Sequence, residues 1–316
     1  MKPSTPLHGF IAATHTPFNT DGSLNLAIVE QQAAHLIQQK IRIAFIGGST
    51  GESQSLTVEE RRALATRWFE VVRGSELKVV VHVGSNCLDD ARTLAAQAEQ
   101  LGAAAISALA PSYFKPRTLG DLIDSCARIA AAAPATPFYF YDIPALTGVH
   151  FSMPEFLAQA PERIPTLAGL KFTNSDLMSF QLCLHADGGR FDIPYGSDEW
   201  ILAAFALGAK GAVGSSYNFA APVYQRLLAA FERGDLETAR TEQMRSVQLI
   251  KALASYGYLG AAKAVMKMLG VDVGPARLPN GNPTPEQAAR LRSELEKLGF
   301  FEWIAANPMP QPSFAK

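Results

Sequence analysis

The sequence is poor in the features that build disulfide frameworks, metal centres and membrane spans. Its three cysteines, Cys87, Cys126 and Cys183, lie far apart, and it has no CxxC pair, HxH or HExxH motif. Neither a disulfide framework nor a metal site is therefore predicted. No apolar run reaches transmembrane length without a charge or a proline, and no signal peptide is recognisable at the start. We expect a cytoplasmic protein in a reducing compartment.

The chain also lacks an excess of charge of either sign. Its 316 residues carry a formal net charge of -1, and the basic residues are scattered along the sequence. This balance argues against nucleic acid or an acidic membrane as a partner. Hydrophobic residues make up 48% and charged residues 18%, as in ordinary globular proteins. The length allows one large α/β barrel or two modest domains.

Short apolar runs alternate with helical segments through the first 220 residues. Eight runs have the length and composition of buried strands, at residues 9–14, 42–46, 78–83, 103–107, 137–141, 165–170, 191–195 and 211–214. Eight strand-then-helix units predict a (β/α)8 TIM barrel. A doubly wound open sheet is the alternative, because alternation alone does not establish that the sheet closes.

The pattern after the eighth predicted strand is helical only. We expect the barrel to occupy residues 1–220 and three or four helices to form a C-terminal helical extension over 221–300. We predict a loose tail for residues 301–316, which contain a proline-rich stretch.

One lysine stands at the end of a predicted buried strand. Lys171 follows the apolar run 165–170, and Thr173 to Asp176 are polar and begin the next helix. Burial disfavours the ammonium form of a lysine, and the neutral amine is a nucleophile. The structural alternative is a lysine that extends its amine to solvent.

Further polar residues fall at the same ends of other strands. In a barrel of this class the carboxyl ends of the strands form the active-site face. The residues predicted there are Ser49, Thr50, Tyr113, Tyr141, Lys171, Asp198, Glu199 and Ser215. Each also has a structural explanation, such as a tight turn, a core tyrosine or the acidic start of a helix.

The most glycine-rich of these loops has the sequence GGSTGE at 47–52. Its backbone N–H groups and the hydroxyls of Ser49 and Thr50 could surround a small anion such as a carboxylate. It is not a P-loop, because the Gly-Lys-Ser/Thr ending is missing. Among the histidines, His82 is interpreted as a hydrogen-bonded core residue, whereas His15 lies in a loop from which it could reach a substrate.

Four motifs together resemble the pyruvate-dependent class I aldolases of the dihydrodipicolinate synthase / N-acetylneuraminate lyase superfamily. They are GGSTGE at 47–52, YDIPALTG at 141–148, GLKFT at 169–173 and GAVGSSYN at 211–218. The likeness runs from about residue 9 to 278. It is strongest to the lyase branch, particularly its animal-type members, through stretches such as 110–116 and 274–279.

The resemblance implies roles for individual residues. Lys171 matches the Schiff-base lysine, Tyr141 the proton-shuttling tyrosine, and Ser49 and Thr50 the pair that grips the keto-acid carboxylate. The positions that match those holding the sugar part are Thr173, Gly196, Asp198, Glu199 and Ser215. Tyr113 matches a relay tyrosine that approaches a neighbouring subunit's site. The resemblance further implies a homotetramer, no metal or organic cofactor, and cleavage of a sialic acid to pyruvate and N-acetylmannosamine.

Other members of the superfamily remain as alternatives. The synthases carry an arginine in the loop after the tyrosine, where this chain has Pro144-Ala-Leu-Thr-Gly. The absence of that arginine fits a neutral sugar aldehyde better than an acidic one. Asp142 stands where asparagine is common and Ser112 where an aromatic residue is common, which bears on substrate preference. Another 2-keto-3-deoxy acid aldolase and a non-catalytic sugar-acid-binding barrel are the remaining alternatives.

Overall fold

The computed structural model describes residues 6–305, and within them the chain forms seven β-strands and thirteen α-helices. The strands are β1 (Gly9–Ala13), β2 (Ile43–Ile46), β3 (Lys78–His82), β4 (Ala105–Leu109), β5 (Phe138–Asp142), β6 (Leu167–Phe172) and β7 (Gly211–Gly214). The helices are α1 (Ile28–Gln38), α2 (Val58–Val71), α3 (Leu88–Gln100), α4 (Leu119–Ala130), α5 (Pro144–Thr147), α6 (Met153–Gln159), α7 (Leu177–His185), α8 (Ile201–Ala206), α9 (Ala221–Glu232), α10 (Leu236–Ala254), α11 (Tyr258–Met268), α12 (Pro285–Leu298) and α13 (Phe300–Ala305). No helix in the described part of the chain is both long and apolar enough to cross a membrane.

The strands form a parallel sheet that curves into a barrel. Their order is β6-β5-β4-β3-β2-β1-β7, so the first strand pairs with both the second and the last. The gap between β6 and β7 is filled by residues 191–195, which bridge to both of these strands. The TIM barrel predicted from the sequence is therefore confirmed, and the alternative of an open sheet is wrong.

The prediction of a regular strand at residues 191–195 is wrong. Tyr195 bridges Phe172 on one side and Ala212 on the other, but the segment forms only isolated bridges. Pro194 lacks an N–H group and cannot donate to a ladder. Its carbonyl nevertheless accepts the N–H of Phe172 at 3.0 Å, so the segment still closes the barrel.

The barrel has two apolar layers. One lies inside the barrel and includes Ile11, Phe45, Val80, Tyr139 and Tyr141. The other lies between the strands and the surrounding helices, and most of the remaining core belongs to it. Burial on both faces explains why the strands appear in the sequence as continuous apolar runs.

Helix starts follow local capping chemistry. Thr57 Oγ1 accepts the N–H of Glu60 at 3.2 Å, and the Glu60 carboxylate accepts the N–H of Thr57 at 3.0 Å. This capping box fixes the start of α2. Asp176 caps α7 by accepting the N–H of Ser179 at 3.0 Å. The short helix α5 forms in a segment predicted as a loop, and proline suits its first position.

Helix α9 packs directly on the barrel. Tyr224 of α9 packs against Phe10 of β1, with ring centroids 6.1 Å apart, and Gln225 donates to the carbonyl of Gln39 next to α1. We therefore infer that α9 is the eighth helix of the barrel and that the extension starts at α10. Helix α13 covers the first residues of the segment predicted as a loose tail, and Phe300 at its start is buried. The proline-rich stretch from residue 306 onward lies outside the described residues.

Candidate active site

A cavity of about 280 Å³ opens at the carboxyl ends of the strands. The side chains and backbone that line it come from five of the strand ends, from the turn at 196–199 and from two helices of the extension. The lining residues are Ala13, Thr50, Tyr141, Lys171, Thr173, Gly196, Ser197, Asp198, Glu199, Val213, Gly214, Ser215, Ile250 and Tyr258. Larger cavities of about 640 and 800 Å³ lie elsewhere, near Leu7 and near Asn19. We place the site in the smaller cavity because Lys171 and Tyr141 line it.

Lys171 lies inside the barrel near the end of β6. Its side chain is only 5% exposed, and it stands directly opposite Tyr141 in the pairing of β5 with β6. The Nζ atom lies 3.8 Å from the centroid of the Tyr141 ring and 4.4 Å from that of Phe45. Among the described residues, no carboxylate forms an ion pair with Lys171. The solvent-extended lysine is excluded, and no protein anion has to leave before the amine meets a carbonyl carbon.

Tyr141 and Ser49 bring two hydroxyl groups next to this amine. The Tyr141 hydroxyl lies 3.4 Å from Ser49 Oγ, across the mouth of the barrel. Thr50, the next residue of the 47–52 loop, lines the cavity itself. The structure thus brings together the lysine, the tyrosine and the loop that the sequence suggests for a carboxylate.

His82 holds the beginning of the 47–52 loop. Its Nδ1 atom is 2.9 Å from the Gly47 carbonyl, and its Nε2 atom is 3.3 Å from the N–H of Leu109. Both contacts are satisfied together only by a neutral ring that donates from Nδ1 and accepts at Nε2. Burial lowers the pKa of His82 well below its ordinary value, which keeps the ring neutral. The interpretation of His82 as a hydrogen-bonded core residue is confirmed.

Thr173 and Gly196 meet on the opposite side of the cavity. The Thr173 hydroxyl is buried and has no hydrogen-bond partner in the described structure. A side chain at position 196 would overlap that hydroxyl, so only glycine leaves room for it. An unpartnered buried hydroxyl in a cavity wall is a group that a ligand can satisfy.

Asp198 is a buried carboxylate with one oxygen engaged. Its Oδ2 atom accepts the N–H of Ser216 at 3.1 Å and also the Ser216 hydroxyl, whereas its Oδ1 atom has no partner in the described structure. Burial raises the pKa of Asp198 from 3.8 to about 6. A side chain at Gly214 would overlap the carboxylate. Asp198 is therefore held in place through its Oδ2 atom, and the residue forms part of the cavity lining.

Two residues of the extension complete the cavity, and the sequence did not reveal them. Tyr258, at the start of α11, places its hydroxyl 2.7 Å from Ser215 Oγ, and Ile250 of α10 supplies an apolar wall. Neither belongs to a strand end, where the sequence predicts the site residues. The feature of the sequence that could indicate Tyr258 is its hydroxyl group at the start of an otherwise apolar helix.

The remaining predicted residues occupy different positions. Glu199 lines the cavity but is largely exposed. Tyr113 does not line the cavity, and its side chain is 79% exposed beside Phe114. Its expected role involves a neighbouring subunit, so a single chain does not test it. His15 is fully buried and outside the cavity, which contradicts the expectation that it could reach a substrate, and burial lowers its pKa to about 3.

Metal-ligating side chains do not cluster in the described residues. No group of three or more His, Cys, Asp or Glu side chains in residues 6–305 has the arrangement that holds a metal ion. The cavity lining offers an amine beside hydroxyl groups and the carboxylates of Asp198 and Glu199.

Comparison with known proteins identifies the relatives of this chain. The model of the Dihydrodipicolinate synthetase family matches residues 6–298. N-acetylneuraminate lyase A of Xenopus laevis is 42% identical over 276 residues, covering 86% of this chain and 90% of the relative. The lyase of Gallus gallus is 37% identical and covers 94% of this chain and 98% of the relative. The solved structure of Proteus mirabilis N-acetylneuraminate lyase superposes with a TM-score of 0.91 at 39% identity, covering 94% of this chain and 100% of that chain.

Proposed function

Because the chain belongs to the Dihydrodipicolinate synthetase family, we propose that it is a Schiff-base aldolase that cleaves N-acetylneuraminate reversibly to pyruvate and N-acetylmannosamine. The observation that carries this proposal is the placement of Lys171 opposite Tyr141 in a cavity, with Nζ 3.8 Å from the tyrosine ring. The three N-acetylneuraminate lyases named above are similar to this chain over 86% to 94% of its length, which supports N-acetylneuraminate as the substrate.

The reaction begins with the open-chain keto acid. Its carboxylate binds at Ser49 and Thr50, and the neutral amine of Lys171 attacks the C2 carbonyl carbon. The Tyr141 hydroxyl gives its proton to the hydroxyl of the resulting carbinolamine, which leaves as water, and a protonated imine then joins Nζ to C2. This imine withdraws electrons from the C3–C4 bond, which neither an amine nor a carboxylate contact alone would do.

Cleavage needs a base for the hydroxyl on C4. Tyr141 takes that proton, assisted by Ser49 or by the substrate carboxylate, while the C3–C4 electron pair moves into the imine to form an enamine. The sugar aldehyde leaves. Protonation of the enamine carbon and addition of water then release pyruvate and regenerate the amine. The 3.4 Å separation of Tyr141 and Ser49 supports this shared proton transfer.

The sugar part has hydroxyl and amide groups that need partners. Thr173, Gly196, Asp198, Glu199 and Ser215 surround the half of the cavity away from the 47–52 loop. The carboxylate of Asp198 and the unpartnered hydroxyl of Thr173 suit such groups. Lys171 is the only basic side chain in the lining, so no cation is left for the second carboxylate of an acidic aldehyde.

The assembly and location of the protein are part of the proposal. We propose a homotetramer in the cytoplasm that uses no metal or organic cofactor. Tyr113, exposed in the single chain, would then lie close to the site of a neighbouring subunit. Sedimentation at several protein concentrations tests the tetramer directly.

The first experiment measures pyruvate release from N-acetylneuraminate with lactate dehydrogenase as the coupling enzyme. We expect rapid release by the wild type and none by Lys171→Ala. Borohydride added with pyruvate should reduce the imine and add mass irreversibly to Lys171 alone. Trapping without release from the sialic acid would favour another 2-keto-3-deoxy acid aldolase, and the absence of trapping would leave a non-catalytic barrel.

A further inference from the structure

A second buried lysine lies behind the 47–52 loop. Lys263 of α11 has a side chain that is 1% exposed, and its Nζ atom has three acceptors. They are Glu52 Oε1 at 2.7 Å, the Thr16 carbonyl at 2.9 Å and the Pro275 carbonyl at 2.8 Å. The ammonium is therefore held by one carboxylate oxygen, as an ion pair, and by hydrogen bonds to two backbone carbonyls.

Glu52 is the last residue of the 47–52 loop and adopts a left-handed conformation. Its φ of 55° is unfavourable for a residue with a side chain and persists only where the surroundings enforce it. Its side chain is fully buried, with Oε1 on Lys263 and Oε2 accepting the N–H of Arg277 at 2.7 Å. Its own N–H donates to the Ser49 carbonyl at 3.0 Å, which folds the loop back over Ser49 and Thr50.

The same lysine is tied to the loop by a second route. Thr16 accepts from Lys263 through its carbonyl and donates its hydroxyl to the Gly51 carbonyl at 2.6 Å. Gly51 and Glu52, the two residues that follow Thr50, are thus both connected to one ammonium group. Arg277 extends the connection, since its guanidinium pairs with Glu60 at the start of α2.

Stability alone does not explain such a pair. Removing two charges from water costs several kcal/mol per ion, and well-packed apolar residues often replace a buried pair without loss of stability. What the pair adds is a fixed geometry, and it fixes the loop that carries Ser49 and Thr50.

We propose that Glu52 and Lys263 are positioning residues that set the geometry of the carboxylate-binding loop, so that α11 of the extension controls affinity for the keto acid. The inference rests on the proposed function, because it takes Ser49 and Thr50 to bind the substrate carboxylate. Neither Glu52 nor Lys263 lines the cavity, so both act through the loop.

The test compares four proteins by the rate of borohydride trapping at increasing pyruvate concentrations. The variants are Glu52→Gln, Lys263→Met combined with Glu52→Gln, and Glu242→Gln. Glu242 is the control, because it is 5% exposed and pairs with Arg226 and Arg245, and no bond links these pairs to the 47–52 loop in the described structure. Thermal melting of each protein is recorded beside the trapping rates.

For Glu52→Gln we expect the half-saturating pyruvate concentration to rise about 10- to 100-fold, the size of effect that a misplaced binding group produces. The trapping rate at saturation should stay within about threefold, because the amine itself is untouched. Glu242→Gln should melt at a lower temperature than the wild type, and its half-saturating pyruvate concentration should be unchanged. The double variant, which leaves no unpaired buried charge, should recover thermal stability without recovering affinity.

Three results would overturn the inference. One is an unchanged half-saturating concentration in folded Glu52→Gln, and another is recovery of affinity together with stability in the double variant. If Glu52→Gln does not fold, Thr16→Val removes a single bond to Gly51, and an unchanged affinity in that variant is the third. A wild type that pyruvate and borohydride do not modify would instead overturn the proposed function, and this inference with it.

Discussion

Replacing Asp198 by asparagine should change how the stability of the protein depends on pH. The native carboxylate is fully buried, which raises its pKa from 3.8 to about 6. Asparagine keeps an oxygen for the two bonds from Ser216 but has no charge to bury. Other titrating groups are the same in both proteins, so their effects cancel in the comparison.

The sign of the effect follows from proton binding. Between pH 3.8 and about 6 the folded protein holds a proton on Asp198 that the unfolded chain has lost. Stability therefore falls as the pH rises through this window and is constant above it. A gap of about two pKa units corresponds to about 3 kcal/mol at neutral pH, of which about 2 kcal/mol develops between pH 4.5 and 7.5.

The assay is urea denaturation of the wild type and of Asp198→Asn at fixed protein concentration across that pH range. We expect the free energy of unfolding of the wild type to fall by about 2 kcal/mol relative to the variant as the pH rises. A constant difference, or one that changes in the opposite direction, would refute the assignment of a raised pKa to Asp198. The variant should also bind the sialic acid more weakly at pH 7, because the cavity lining loses the charge of the Asp198 carboxylate.

Three further predictions concern single side chains of the site. Tyr141→Phe should retain borohydride trapping but release pyruvate about 10² to 10⁴ times more slowly, since only the proton transfer is lost; an unchanged rate would remove Tyr141 from the mechanism. Gly196→Ala should lower the melting temperature and raise KM because its methyl group overlaps the Thr173 hydroxyl, and adding Thr173→Ala should restore stability, as melting curves of the two variants would show. Tyr258→Phe should raise KM for the sialic acid about fivefold, because one hydrogen bond to Ser215 is lost. The pyruvate concentration that gives half-saturation in the trapping assay should not change. A change in that concentration would count against the position of Tyr258 beside the sugar.

The barrel could be predicted from the sequence because its strands are buried on both faces. Each strand appears as a short continuous apolar run, and the predicted ends differ from the observed ones by at most about two residues where a regular strand forms. The exception is the segment 191–195, where Pro194 interrupts the donor pattern. Helix α5 is not predicted from the sequence either, because a four-residue helix has too few positions to show a helical period.

The meeting of the proposed catalytic residues in one cavity could also be predicted, because these residues stand at strand ends. Lys171, Tyr141 and Thr50 meet in the structure because parallel strands bring their carboxyl ends to the same face. Tyr258 and Lys263 could not be predicted in this way. They lie on α11, and no local pattern in the sequence indicates which loop an added helix contacts.

The cavity is lined partly by regular strands and partly by residues that follow the irregular segment 191–195. This difference has a consequence for changing the enzyme's range of substrates. Lys171 and Tyr141 lie on β6 and β5, which pair along most of their length. Gly196, Asp198 and Glu199 follow the segment 191–195, which has only two backbone hydrogen bonds to β7, Tyr195 N–H to the Gly211 carbonyl and Val213 N–H to the Tyr195 carbonyl. Under the proposed roles, the residues that make the bond and those that contact the aldehyde thus lie on different segments of the chain. A library restricted to 196–199 and 215 would explore new aldehydes while the amine, its tyrosine and the carboxylate loop stay in place.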